Sequence, residues 1–240
     1  MRQGKAFFID VDKCTACRGC QVACKQWKDL PAEKTRNVGS HQNPQDLSSK
    51  TLKLVRFSEH VIDDKLRWLF FPDQCRHCIE PSCKYIANMY AKGAVTHDEK
   101  TGAVEFTEKS SKLKDVSPTE MCPYNIPRRD PETGVWHKCN MCIDRVQKGQ
   151  LPSCVKTCPS DVMHFGEYAD MRKLAEERLE ARQEKYPDAQ LLDLDDVRVI
   201  YLTSFAPEEY HEFSMAEAMP QRPQMTRRSM LAMFTGKKQA

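Results

Sequence analysis

At 240 residues, with 37 basic against 34 acidic side chains and a net charge of +3, the chain can form one large domain or two small ones. Its charges are spread out, and the absence of a dense basic block argues against nucleic-acid binding. Aromatic residues make up 8% and mean hydropathy is −0.66, so the apolar core is modest and needs staples, which 12 cysteines can supply.

The run Met1–Asp10 enters a strand-like pattern without an apolar export segment, so any export is expected to depend on another chain. No stretch approaches the ~18 apolar residues of a membrane span, and a soluble chain is expected. Lys5–Val11 predicts a strand delivering the first cysteine loop. There Cys14-x2-Cys17-x2-Cys20-x3-Cys24 repeats the spacing of bacterial ferredoxins, in which three close thiolates wrap three corners of a cubane and the fourth reaches a neighbouring one. Glu33–Leu54 is polar and aperiodic and reads as a surface loop, either a solvated insertion or an interface. Leu66–Phe71 predicts a strand leading into Cys75-x2-Cys78-x4-Cys83.

Gly93–Phe106 predicts a hairpin turning at Asp98–Gly102, and Arg129–Val135 a second turn. Cys122-Pro123 lies between them, and Cys139-x2-Cys142-x11-Cys154-x3-Cys158-Pro159 follows. A proline directly after a ligand ends the loop and removes a backbone donor, which sets the chain's exit from the site. Ala169–Lys185, with Met171, Leu174, Ala175 and Leu179 at helical spacing among charges, predicts a solvated helix, and Val197–Thr203 a strand. The methionine-rich tail Ala206–Ala240 lacks a core pattern and is expected against a partner chain or mobile.

Disulfides are disfavoured because four thiols in the first run crowd too closely for ordinary non-local bridges, and secreted frameworks need an export signal. Zinc is the stronger rival, since Cys75-x2-Cys78 and Cys139-x2-Cys142 would suit a four-thiolate site in a zinc-stapled interaction protein. Zinc does not account for the first run or the Cys-Pro endings; three [4Fe–4S] clusters do. By the cross-over rule Cys14, Cys17 and Cys20 pair with Cys158, Cys139, Cys142 and Cys154 with Cys24, and Cys75, Cys78 and Cys83 with Cys122. Extending the spacing to a fourth cluster puts its absent ligands at Ala87, Lys112, Asp115 and Pro118, one complete cubane's set. His77, His97, His137 and His164 lie in or near these regions and are expected beside the ligands or on the surface. Trp27 and Trp136 are expected to shield clusters from water. No residue stands out as an acid, base or nucleophile, so the chain is expected to catalyse nothing by itself.

This layout resembles the four-cluster ferredoxin-like subunits of molybdenum and tungsten bis-pterin oxidoreductases. The stretches that carry the resemblance are Cys122-Pro-Tyr-Asn-Ile-Pro-Arg, Pro131-Glu-Thr-Gly-Val, Lys138-Cys-Asn-Met-Cys-Ile-Asp-Arg145 and Leu151-Pro-Ser-Cys-Val-Lys-Thr-Cys-Pro159. Cys14 to Leu30 looks most like formate dehydrogenase β subunits, and the three-cluster pattern is similar to that of soluble enzymes from sulfate reducers. The resemblance implies an α+β fold, with a tandem ferredoxin-like domain over 1–166 whose second half is inserted at about 70–124. A helix–strand extension and tail would follow over 167–240. It also implies a large catalytic subunit oxidising formate at a pterin-bound tungsten or molybdenum, with a soluble multihaem cytochrome c as acceptor. Co-export with a signal-bearing partner would place the complex in the periplasm, the alternative being the cytoplasm. Cys14, Cys17 and Cys20 would face the catalytic subunit, with the Cys139 group next and the third group's position open. A sister complex acting on a sulfur, arsenic or aromatic substrate is the rival reading.

Overall fold

The computed structural model describes residues 3–216; most of the tail expected against a partner lies outside them. The first strand, β1 (Lys5–Asp10), is buried from Ala6 to Asp10 because both of its faces are covered. The first cysteine run leads into α1 (Gly19–Trp27). A long hairpin follows, β2 (Leu54–Ile62) and β3 (Lys65–Asp73), paired from Leu54–Asp73 to Ile62–Lys65. Its turn residues Asp63 and Asp64 sit at φ 53° and 57°, the positive pair that matches the strands' twist. The second run opens α2 (Ser82–Tyr90). Next come the expected short hairpin, β4 (Val95–His97) with β5 (Val104–Phe106), and α3 (Pro118–Met121), which carries a Ser117–Glu120 capping box. The turn at 129–135 joins β6 (Arg128–Arg129) to β7 (Trp136–His137).

After α4 (Ile143–Val146) and α5 (Ser153–Thr157), the chain forms β8 (Met163–Glu167), α6 (Tyr168–Gln183), β9 (Gln190–Leu192), β10 (Val199–Thr203) and α7 (Pro207–Tyr210). The principal sheet runs β8-β1-β10-β9, with β1 and β10 parallel and the other neighbours antiparallel. Side chains alternate across it. Phe8, Ile200 and Leu202 face Ala175, Met171 and Leu174 of α6. Phe7, Ile9, Val199 and Tyr201 face the other way, onto Phe71, Met141, Cys20 and Cys154. The strand after residue 166 thus lies in the middle of the sheet, beside the first strand of the chain.

The structure corrects three expectations. β2 has no strand signature in sequence, because Arg56 and Ser58 to His60 break the apolar alternation, although its outer half alternates between half-buried and exposed positions. Glu33–Leu54 is a loop as far as the start of β2 but does not stay at the surface: Leu47, Ser49 and Thr51 to Leu54 are buried, and the stretch before them is largely exposed. The start of the tail also has a core pattern, since Tyr210 and Ser214 are buried and Tyr210 donates to Asp12 and accepts from the Ser204 N–H.

A buried ion network joins these parts. Arg76 pairs with Asp73 at 2.8 Å, and its guanidinium lies 5.1 Å, 5.0 Å and 4.6 Å from the ring centres of Phe71, Tyr124 and Tyr201. Asp73 also holds Arg56 at 3.0 Å, and Arg56 and Arg128 converge on Asp46. Removing the shared carboxylate leaves two guanidiniums buried without it, a loss of roughly 3–5 kcal/mol. Asp73→Ala is therefore expected to lower the thermal midpoint of the purified subunit sharply, whereas Asp195→Ala at the surface should leave it nearly unchanged. Burial holds His211 down to about 4, with Arg56 and Arg76 opposing its protonation and Asp73 favouring it. Between the ordinary value near 6.5 and about 4 the unfolded chain binds more protons, so stability falls as pH drops through that window. A scan of thermal midpoint against pH should show a shallower fall in His211→Gln.

Candidate metal centres

None of the twelve cysteines is in a disulfide; eight are buried, Cys14, Cys78 and Cys158 are half-buried, and Cys17 is exposed. Burial pushes the thiols of Cys14, Cys122 and Cys139 up to about 11 and those of Cys24 and Cys83 to about 12. Cys20, Cys78 and Cys154 are raised for the same reason. Thiols so placed become ligands only where a metal replaces their protons.

Three loops share one local conformation. Ala16, His77 and Met141, each two residues after the first cysteine of its run, have φ 51°, 47° and 61°. That left-handed turn aims a backbone N–H back at sulfur: His77 donates to Cys75 Sγ at 3.3 Å, Met141 to Cys139 Sγ at 3.4 Å, and Ala16 to Cys14. Such donors favour the thiolate and offset the cost of the turn.

The helices then bring distant runs together. In α1 Cys20 and Cys24 lie one turn apart, as do Cys154 and Cys158 at α5 and its end, and α1 packs on α5. The sulfurs act on one another mostly in three sets, with Cys75 of the third also acting on Cys139 of the second. Cys14 and Cys20 both sense Cys158, and Cys20 also senses Cys17; these four line one concavity with Val55 and Val162. Cys154 senses Cys139, Cys24 and Cys142. Cys78 senses Cys75, Cys122 and Cys83. Among the described residues no group of three or more His, Cys, Asp or Glu is spaced for a single metal ion. His77 adds an orphaned donor beside the sulfur sets: its Nδ1 accepts the Val104 N–H at 3.0 Å, which leaves the proton on a buried, unpartnered Nε2.

Cys75, Cys122 and Cys139 share one apolar cluster, so the third set adjoins the second. Of the four positions lacking cysteine, Ala87 packs in a separate apolar cluster with Cys83. Ala87 is fully buried, and Leu113, Met121 and Trp136 fill the space around it and Cys83. Lys112 and Asp115 face solvent. Asn88, where proline would follow the absent ligand, clips β4 by bonding both polar groups of the Val95 backbone.

Of the two tryptophans near the cysteine runs, Trp136 is buried in the cluster with Cys83 and Ala87. Trp27, expected to shield, is instead 44% exposed, stacked under Arg145 at 4.1 Å and donating to Asp144. His97, His137 and His164 are half-buried, and His164 stacks on Phe8. Sequence reading missed Lys53 and Lys138, two buried ammoniums among the sulfurs. Lys53, far from any cysteine in sequence, and Lys138, next to Cys139, both read as ordinary surface lysines, and only the tertiary packing reveals their burial.

Residues 66–168 match the model of a 4Fe-4S dicluster domain. The chain is 51% identical over 213 residues to the formate dehydrogenase subunit beta of Megalodesulfovibrio gigas, covering 88% of this chain and 99% of that one. It is 53% identical over 214 residues to the formate dehydrogenase 2 subunit beta (cytochrome c-553) of Nitratidesulfovibrio vulgaris, with 88% and 98% covered. The formate dehydrogenase-O iron-sulfur subunit of Escherichia coli is 37% identical over 227 residues, 92% of this chain and 72% of its own. No helix among the described residues is long and apolar enough to cross a membrane. With an α+β ferredoxin-like fold, buried cysteine sets and these relatives, the chain belongs to the iron–sulfur (β) subunits of formate dehydrogenases, which carry electrons through [4Fe–4S] clusters for a catalytic partner.

Proposed function

We propose that the twelve cysteines hold three [4Fe–4S] clusters, on Cys14, Cys17, Cys20 and Cys158, on Cys24, Cys139, Cys142 and Cys154, and on Cys75, Cys78, Cys83 and Cys122. The carrying observation is that Cys14, Cys17, Cys20 and Cys158, distant in sequence, line one concavity, while Cys75, Cys122 and Cys139 share one apolar cluster. Bound there, the clusters supply one-electron transfer, each formate oxidised in the partner releasing two electrons and one proton. The chain's own residues hold the cages rigid, exclude water and bias the charge. Backbone donors at Ala16, His77 and Met141 stabilise thiolate sulfur, while the apolar packing around Cys20, Cys139 and Cys154 keeps solvent away.

The exposed Cys17 supports the first set as the face toward the catalytic subunit, a large bis-pterin protein with tungsten or molybdenum. The third set is then the far end of the relay, since it adjoins the second and has apolar packing in place of a fourth site. A soluble c-type cytochrome, multihaem by family resemblance, is the proposed acceptor; the name of the Nitratidesulfovibrio relative, which includes cytochrome c-553, supports a c-type partner. Co-export with the catalytic subunit to the periplasm completes the proposal.

Iron and sulfide analysis of the purified complex is expected to assign about 12 irons to this chain, in excess of those in the catalytic subunit; about eight would leave one set without a cluster. Cys17→Ala should remove one reduced-cluster EPR signal and slow formate-driven cytochrome reduction. Asp115→Ala should keep the full iron content, and a lost cluster there would refute the account of the replaced site. Anaerobic EPR should show the reduced signals on addition of formate; signals obtained with dithionite alone would point to another substrate.

A further inference from the structure

Along its outer half the β2–β3 hairpin is turned inside out. Side chains alternate in face along a strand, so the register puts the pairs Val55–Pro72, Phe57–Phe70 and Val61–Leu66 on one face. Trp68 shares that face, opposite its one acid, Glu59. The other face meets the body largely through polar groups. Ser58 donates to the Glu209 carbonyl, His60 pairs with the Glu209 carboxylate at 2.7 Å, and the Arg67 guanidinium lies 5.6 Å from the centre of the Phe205 ring. On the outward face Val61, Leu66 and Trp68 are 72%, 59% and 62% exposed. Phe57 and Phe70 stack at 5.5 Å and are half-buried beside His41. A sheet with one solvated face ordinarily turns its polar side to water, so an outward face of this composition is built for a cover.

The position of this strip says what covers it. Its innermost pair, Val55 and Pro72, lines the concavity that holds Cys14, Cys17, Cys20 and Cys158. Six residues separate that pair from Val61 and Leu66, so about 20 Å of one continuous face runs from the first cysteine set to the hairpin tip. Cys17 is the exposed thiol of the four. A protein that passes electrons to this set has to sit on the concavity, and it then meets the strip at its inner end. Beside them lies a polar recess formed by Arg18, Asn37, Ser40, His41 and Asn43. An apolar, aromatic centre with a polar border is the anatomy of a protein interface, and tryptophan is prominent among the residues that carry its binding energy. A second copy of the chain seated on the strip would compete with the electron donor for the same concavity.

We propose that the outward face of the β2–β3 hairpin is the seat of the catalytic subunit, with Val61, Leu66 and Trp68 as its apolar anchor and the recess at Arg18 and Asn37 as its polar border. This rests on the reading above that the catalytic subunit feeds the first set. Covering the strip holds the donor against the concavity, so the gap the electron crosses to reach Cys17 is fixed by a contact that carries little charge. Left uncovered, the same strip is an association hazard, which the complex removes.

The test is photo-crosslinking in the intact complex, with p-benzoyl-phenylalanine at position 68 on the strip or at position 37 in the recess, and adducts identified by mass spectrometry. Position 68 is expected to join the catalytic subunit. No adduct there, or adducts confined to a second copy of this chain, to its own residues 217–240 or to the acceptor, would overturn the proposal. Position 37 reports on the first set separately. An adduct at 37 without one at 68 refutes the hairpin's part and leaves the first set facing the catalytic subunit. An adduct at 68 without one at 37 supports the hairpin and counts against that placement of the first set, and none at either position sinks both. Leu66→Glu combined with Trp68→Glu should weaken association of the two subunits by roughly tenfold or more, read as the subunit ratio on gel filtration over a dilution series at unchanged iron content. Met89→Glu, at an exposed apolar residue of α2, should leave that ratio as in the parent. An iron-loaded double variant that holds the catalytic subunit as tightly as the parent would overturn the proposal, and where the double variant loses iron the adduct at position 68 decides.

Discussion

Eight of the twelve cysteines are buried, and as metal ligands all of them would carry negative charge in an interior where charge is expensive. Much of the surrounding structure offsets that cost. Ala16, His77 and Met141 accept left-handed backbone conformations, each costing roughly 1–2 kcal/mol, and in return direct N–H groups at sulfur. Lys53 and Lys138 place ammoniums where a small, thinly cored protein would otherwise place leucine. The metal is the remaining partner, and without it the burial that raises every one of the shifted thiols would work against the ligand form.

The same interior needs a rigid frame, because electron transfer is helped when the cages rearrange little. Arg76 supplies part of it. It stands between Cys75 and His77 in sequence, pairs with Asp73, and lies against the rings of Phe71, Tyr124 and Tyr201. Strand β3, the central strand β10 and the segment after Cys122 are therefore tied to one fully buried guanidinium. A loop held by that many partners has few alternative arrangements to adopt when the charge next to it changes.

The two helix pairs show how one architecture can hold two neighbouring sets or one. Helices α1 and α5 pack together and each presents cysteines to both the first and the second set. Helices α2 and α3 pack in the same manner, with Cys83 in the first turn of α2 and Cys122 at the end of α3, but Ala87 stands where Cys24 stands in α1. A partly liganded cubane site would leave unpaired thiols around a void. Here a buried alanine stands at position 87, Lys112 and Asp115 face solvent, and Leu113, Met121 and Trp136 close the volume.

Cysteine spacing alone pointed to the cofactor, because wrapping three corners of a cube constrains a tight loop in a way that few other demands do, and the crossing of the fourth ligand follows from the helix it opens. Strands β1, β3 and β10, the β4–β5 turn and helix α6 were equally legible, since each has its own local period or turn residues. What sequence could not show is whatever depends on distant partners. The outer half of β2 reads polar, Ser58-Glu-His60, because the segment that covers it, around Glu209 of α7, is distant in sequence and meets it through polar groups. The burial of residues 47–54, the surface position of Trp27 and the packing of Tyr210 against Asp12 arise only when separate segments meet. The same holds for the order of the cysteine sets and for Lys53 and Lys138. Local spacing specifies which side chains can hold a group, but the field at that group is a sum over neighbours in space, and tertiary structure alone decides those neighbours.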